Sequence, residues 1–205
     1  MRAWGQALWA GRWEETLLRR VVRRVLEGAE PQPRWVPRRA LTVVSADIDA
    51  AGGVGAVWFV WRPKSTRARE HTVLLEWYDE QWQYVGGGSG PVNDTADVDV
   101  IEIHSGGGVR SLTRRHDPPH SIATAPWISC VEVHLGQDVG HVLIGNRRIK
   151  APEQRKLIAA WMSPHADRGA RPVIVALGHD GSELSRIGPY NGLDTHTWAQ
   201  LGEES

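Results

Sequence analysis

Apolar positions recur along this chain with two different periods, and the change from one to the other divides it. Between Trp4 and Leu26 they return at helical spacing. Trp4, Leu8, Leu17, Leu18, Val21, Val22, Val25 and Leu26 share one broad face. Arg12, Arg19, Arg20, Arg23 and Arg24 fill the opposite face, and Trp9 and Trp13 fall among them. Gly28 supplies a C-cap, Pro31 forbids continuation, and the late arginines complement the negative end of the helix dipole. Residues 1–30 therefore read as an amphipathic basic helix, weakened in its first turns by Gly5 and Gly11.

Residues 31–39 contain Pro31, Pro33 and Pro37 and leave little scope for helix. They read as an extended, semi-rigid linker with Trp35 as its candidate anchor. From residue 40 the apolar positions fall into short Val-, Ile- and Trp-rich runs separated by Gly, Pro, Asn and Asp. Strands are predicted at 41–48, 54–61, 72–77, 82–85, 98–104, 127–135, 141–149, 155–162, 172–178 and 183–187. Residues 152–162 also fit a helical turn. Asp180-Gly181 is a hairpin signal, and Tyr78-Asp79-Glu80-Gln81 joins two runs ending in aromatics. No strand–helix–strand rhythm appears. Residues 40–205 are thus expected to form an antiparallel β-sandwich or open barrel, which makes the chain mainly β with one N-terminal helix.

With 205 residues the chain suits one main domain and an appendage, and it can bury a core without disulfides or structural metal. Its single cysteine, Cys130, lies in an apolar run and reads as a buried, inert thiol suited to a reducing compartment. The first residues hold no uninterrupted apolar run of the secretory kind, and no stretch approaches the roughly 20 apolar residues of a membrane span. The expectation is a soluble, cytoplasmic protein. A net charge of zero argues against a nucleic-acid partner. Its distribution is uneven: residues 1–40 hold nine arginines against four glutamates, leaving them at +5 and the rest at −5. Only Lys64, Lys150 and Lys156 are lysines, so the arginine bias is compositional and is discounted as a phosphate signature.

Candidate chemistry is sparse. Val100-Ile101-Glu102-Ile103-His104 is echoed by Cys130-Val131-Glu132-Val133-His134, and in each copy Glu and His share a strand face. Were the two strands neighbours, Glu102, His104, Glu132 and His134 would converge as zinc, manganese or iron ligands. The competing reading is two half-buried strands that show polar residues to solvent. His116-Asp117-Pro118-Pro119-His120 has a ligand-like spacing, but its prolines forbid the helix that would use it.

Gly86-Gly87-Gly88-Ser89-Gly90-Pro91 lacks the helix N-terminus and lysine of a phosphate loop, and reads with Gly106-Gly107-Gly108 as a strand connection. Pairing of 82–85 with 98–104 would put the two stretches at opposite ends of a sheet, with no shared pocket. Asp47-Ile48-Asp49-Ala50-Ala51-Gly52 begins like a calcium loop but lacks its later ligands. No nucleophile elbow occurs, and Trp77 with Trp82 could form a sugar or peptide platform.

These patterns favour a non-catalytic binding or regulatory module without a cofactor. It would engage a protein partner, or a second copy of itself, through a sheet face or through the helix residues Trp9, Trp13, Arg19, Arg20, Arg23 and Arg24. Attachment of that helix to a membrane surface is a lesser option. The alternative is a metal-dependent hydrolase or lyase built on the Glu/His strand face.

Overall fold

The structure is a computed structural model that describes residues 7–92, 98–111, 125–164 and 170–203, with side chains from Thr16 onward. Helix α1 (Ala7–Leu26) ends as its sequence requires. Gly28 takes a left-handed φ of 68°. Its N–H bonds to Val25 O at 3.0 Å and that of Ala29 to Arg24 O at 2.8 Å, the paired closure of a Schellman cap. The apolar face expected for this segment is the buried one: Leu17, Leu18, Val21 and Val22 pack on the sheet beneath. Each such side chain contributes roughly 1.5–3 kcal/mol when taken out of water.

The linker is not extended, and Trp35 is not its sole anchor, since Arg20 of α1 lies over its ring. Its segment bends through turns and is secured by Gln32 and Val36, both buried. Gln32 donates to Val36 O and Leu41 O and accepts from Val43 N, so one side chain ties the connection to the first strand.

That first sheet runs β1 (Leu41–Asp49), β2 (Val54–Trp61), β3 (Arg69–Tyr78) and β4 (Gln81–Pro91), in order and antiparallel. The turn between β3 and β4 puts Asp79 and Glu80 at φ of 51° and 60°, the two left-handed residues a tight hairpin needs. A middle sheet pairs β5 (Ile101–Arg110), β6 (Trp127–Leu135) and β9 (Lys156–Ser163) in the order β5-β6-β9. The third sheet has the order β11-β10-β7-β8, from β7 (Val139–Ile144), β8 (Arg147–Lys150), β10 (Ile174–Gly178) and β11 (Glu183–Ile187). The ambiguous segment is strand, not helix. The single strand predicted at 141–149 is two, because Gly145 at φ 60° turns the chain back.

Three cores show how these layers stack. Helix α1 covers one face of the first sheet. The opposite face meets the middle sheet through Val54, Ala56, Trp58, Ile128 and Ile158. The far side of the middle sheet meets the third sheet through Val131, Val133, Leu157, Val142 and Ile174. Strand β6 is therefore buried on both sides.

The fold is a mainly β, sandwich-like stack of three antiparallel sheets with an N-terminal helix. A second helix, α2 (Thr195–Glu203), was not expected. It is started by Asp194, whose carboxylate accepts from the N–H groups of His196 and Thr197. Among the described residues no helix is long and apolar enough to cross a membrane.

Candidate functional site

The echoed strands are neighbours. In the β5–β6 register Glu102 lies opposite His134 and Ser105 opposite Glu132. Between Ile103 and Ser105 the register slips by one residue. This bulge breaks the alternation of the strand, so that His104 and Ser105 both turn toward the first sheet.

The polar face does not meet solvent. It is folded into the interior between the first and middle sheets, where Glu132 is 2 % exposed and His134 is buried. The Thr72 hydroxyl donates to Glu132 Oε1, and the Ser105 hydroxyl donates to Oε2 at 2.8 Å. His104 Nε2 donates to Glu70 Oε1 at 2.9 Å. The two histidine rings stack at 4.5 Å between centroids, and Trp58 lies roughly parallel to both at 5.4 and 5.9 Å.

Of the four candidate ligands, then, three come together and one does not. Glu102 stays exposed on the flank of β5. His104 and His134 meet face to face, whereas metal ligation needs ring nitrogens converging in the planes of their rings. Among the described residues no group of three or more His, Cys, Asp or Glu side chains is placed to hold a metal ion. The calcium-like segment is also otherwise engaged. Asp47 pairs with Arg147 at 2.9 Å and accepts from Ala160 N, while Asp49 accepts from Gly52 N. His116 and His120 lie outside the described residues.

The glycine stretches depart furthest from expectation. Neither is a loop, and they do not lie at opposite ends of one sheet. Gly86–Gly90 lie within β4 and Gly106–Gly108 within β5. Strand β4 pairs with β3 and β5 with β6, so the two strands are edges of different sheets. Between them opens a cleft of about 430 Å³, lined by both glycine stretches and by Glu70, Thr72, Cys130 and Glu132. The expectation failed because it assumed that consecutive strands pair, and here the chain leaves one sheet for the next.

The glycines divide into two kinds. At Gly86, Gly87 and Gly108 a Cβ would lie 2.5 Å from Val109, 2.2 Å from Thr72 O and 2.2 Å from Trp127 Nε1, so packing demands glycine there. At Gly88 and Gly107 a Cβ would meet nothing within 4 Å. Neither has the left-handed φ that would call for glycine. Their register partners, Thr72 and Cys130, line the cleft, so a side chain at either position would project into it.

The cleft is acidic. Two carboxylates line it and, among the described residues, no lysine or arginine does. Burial pushes the Cys130 thiol up to about 12, with the Glu132 charge adding to the shift, so this cysteine is no nucleophile at neutral pH.

The arginine face of α1 is partly spent on its own linker. Arg20 lies over the Trp35 ring at 5.8 Å, and Arg24 donates to Glu30 O at 2.5 Å. Arg19 and Arg23 are exposed. The side chains of Trp9 and Trp13 lie outside the described residues. Trp77, 47 % exposed, meets Trp82 edge to face at 5.6 Å, which does not offer the flat double platform that stacking on a sugar would use.

Fold and site together define a layered, mainly β protein with a ligand-sized opening between two sheet edges. No protein-family model, curated protein or solved structure matches the chain.

Proposed function

We propose that this is a non-catalytic binding module that holds a segment of a partner protein in the cleft between β4 and β5. The observation that carries the reading is the pair Gly88 and Gly107. Glycine inside a strand costs about 0.5–1 kcal/mol relative to alanine, and neither backbone conformation nor packing asks for it at these two positions. A strand glycine with free space beside it is a place where another backbone comes close. Catalysis has less support. The buried thiol is held protonated. A metal-assisted hydrolase or lyase would need ligands that converge where these two histidine rings stack.

On this reading the protein acts in the cytoplasm, where its one thiol needs no partner. The acidic cleft excludes polyanions such as nucleic acid. The arginine face of α1 steadies the module through its linker and is secondary to the cleft.

The test is selection from a random peptide display library against the intact protein, with Gly88→Leu and Gly107→Leu variants as filled-cleft controls. Peptides that bind the wild type and lose both variants are the expected result. Enriched peptides that ignore both substitutions would remove the cleft from the function. A wild type that yields only its own oligomer, also blocked by Gly107→Leu, makes the partner a second copy.

A further inference from the structure

Among the described residues, the Glu132 carboxyl in the cleft is bonded to no cation. Glu132 is 2 % exposed, and its partners are two hydroxyl groups and no cation. Carboxylates this deeply buried are normally paired with a base, because an isolated buried charge is costly. Two hydroxyl donors occupy only part of what a carboxylate accepts, which leaves lone pairs free on the cleft side. A second carboxylate, Glu70, stands nearer the mouth, 4.0 Å from where a Cβ on Gly90 would be. Among the described residues its partner His104 is the one basic side chain bonded to either carboxylate, and that bond goes to Glu70.

The walls supply a different kind of recognition. Among the described residues each of β4 and β5 is hydrogen-bonded to a strand on one side only, and open space lies beside Gly88 and Gly107. An unguarded edge of this kind is a template for an added strand. Edge strands are usually blunted with lysine, proline or a covering element. Among the described residues β4 and β5 carry no lysine, and Pro91 stands only at the end of β4.

We infer that the occupant is an extended, basic segment of a partner protein, which adds as a strand along the β4 or β5 edge and directs a lysine or arginine side chain down to Glu132 and Glu70. This rests on the binding-module reading above and supplies its ligand chemistry. The backbone of the segment takes the unpaired edge, and Gly88 and Gly107 give it room. Its cationic side chain, one of every second residue that faces the floor, provides a counter-charge that no described residue supplies.

The experiment uses the intact protein and three fluorescein-labelled decapeptides that alternate threonine with lysine, glutamine or glutamate, read by fluorescence anisotropy. The lysine peptide should bind at least about tenfold more tightly than the glutamine peptide, and the glutamate peptide should not bind. Glu70→Gln and, separately, Glu132→Gln should each remove that preference, and Gly88→Leu should remove binding of both peptides.

Equal binding of the lysine and glutamine peptides, both lost in Gly88→Leu, would overturn the charge inference and leave the cleft reading standing. Binding of the lysine peptide that survives Gly88→Leu would overturn both, since it would report only the acidic surface. Should Glu132→Gln fail to fold, Glu70→Gln and the peptide series decide the matter without it.

Discussion

The first and middle sheets meet along two seams, and the protein treats them in opposite ways. At one seam β1 stitches itself to the free edge of β9. The Ile158 N–H bonds to Ser45 Oγ at 3.0 Å and the Ala160 N–H to Asp47 Oδ2 at 2.9 Å. Gln154 reaches Val44 O, and Arg147 bridges Asp47 and Ala160 O. Side chains thus satisfy backbone groups that a neighbouring strand would otherwise pair, and the edge is closed. At the other seam side chains meet only side chains, as Thr72 with Glu132 and Glu70 with His104, while among the described residues no side chain is recorded bonding to the edge backbone of β4 or β5, and a cleft remains. One edge is protected against pairing and the other is kept available for it, which is why the open one reads as the working side.

If this contrast is right, the closed seam carries stability and the open one carries little. Asp47→Ala removes the acceptor for Ala160 N and leaves Arg147 without its partner, so it should cost about 2–4 kcal/mol in urea unfolding at pH 7. A loss below about 0.5 kcal/mol would mean that the β1–β9 stitching is ornamental, and the comparison would fail at its first step.

The open seam permits a finer cut between adjacent residues. Gly87→Ala drives a methyl to 2.2 Å from Thr72 O, where backbone must shift, and should destabilise by about 1–3 kcal/mol. Gly88→Ala meets open space and should leave stability unchanged or raise it by up to about 1 kcal/mol. Equal losses at both positions would show that Gly88 has a packing role, and the argument from a vacant side chain would go with it.

Much of the sandwich was legible because β-strands announce themselves through local alternation. The bounds of β2, β6 and β11 follow directly from apolar runs between turn residues. The buried stripe Leu17, Leu18, Val21 and Val22 follows from helical spacing in the same way. What was not legible depends on partners distant in the chain. Glycine has no side chain to signal a strand, so β4 and β5 were expected to stop before their glycines. Their convergence is set by sheet order, which no local pattern encodes. Glu132 and His134 looked like the solvent side of an amphipathic strand because alternation reports two unlike faces and does not report what covers each. Helix α2 did leave a signal, Asp194 ahead of Thr197, Trp198 and Leu201, but its apolar residues Trp198 and Leu201 are exposed and gave no strong period.

A subtler check on the closed seam is its pH dependence. Burial raises the Asp47 pKa above the usual carboxylate value, and this outweighs the opposing pull of Arg147. The folded carboxyl therefore holds its proton more tightly than the unfolded one. Its contribution is fully present below the unfolded pKa and is lost as pH rises through the folded value. Wild type should therefore lose ground to Asp47→Asn as pH rises above the usual carboxylate range, measured as the gap between their urea midpoints. A gap that moves the other way would show that Arg147 outweighs desolvation, and that the stitch is strongest when charged.

The smallest effect concerns the floor of the open seam, where no change in stability is expected. Cys130 lines the cleft yet is 4 % exposed, and burial with the neighbouring Glu132 pushes its thiol up to about 12. Attack on a disulfide reagent requires both the thiolate and access, so the folded protein should not react with dithiobis(nitrobenzoate) at pH 8. It should release one equivalent only when unfolded in urea. Such protection would mean that the thiol at the base stays protonated and screened from solvent while the cleft is empty. Prompt reaction of the folded protein would mean that solvent reaches the thiol, and with it the carboxylate beside it. Glu132 would then be a hydrated surface group with no need of a counter-charge, and the contrast between a sealed and a receptive seam would reduce to one of width.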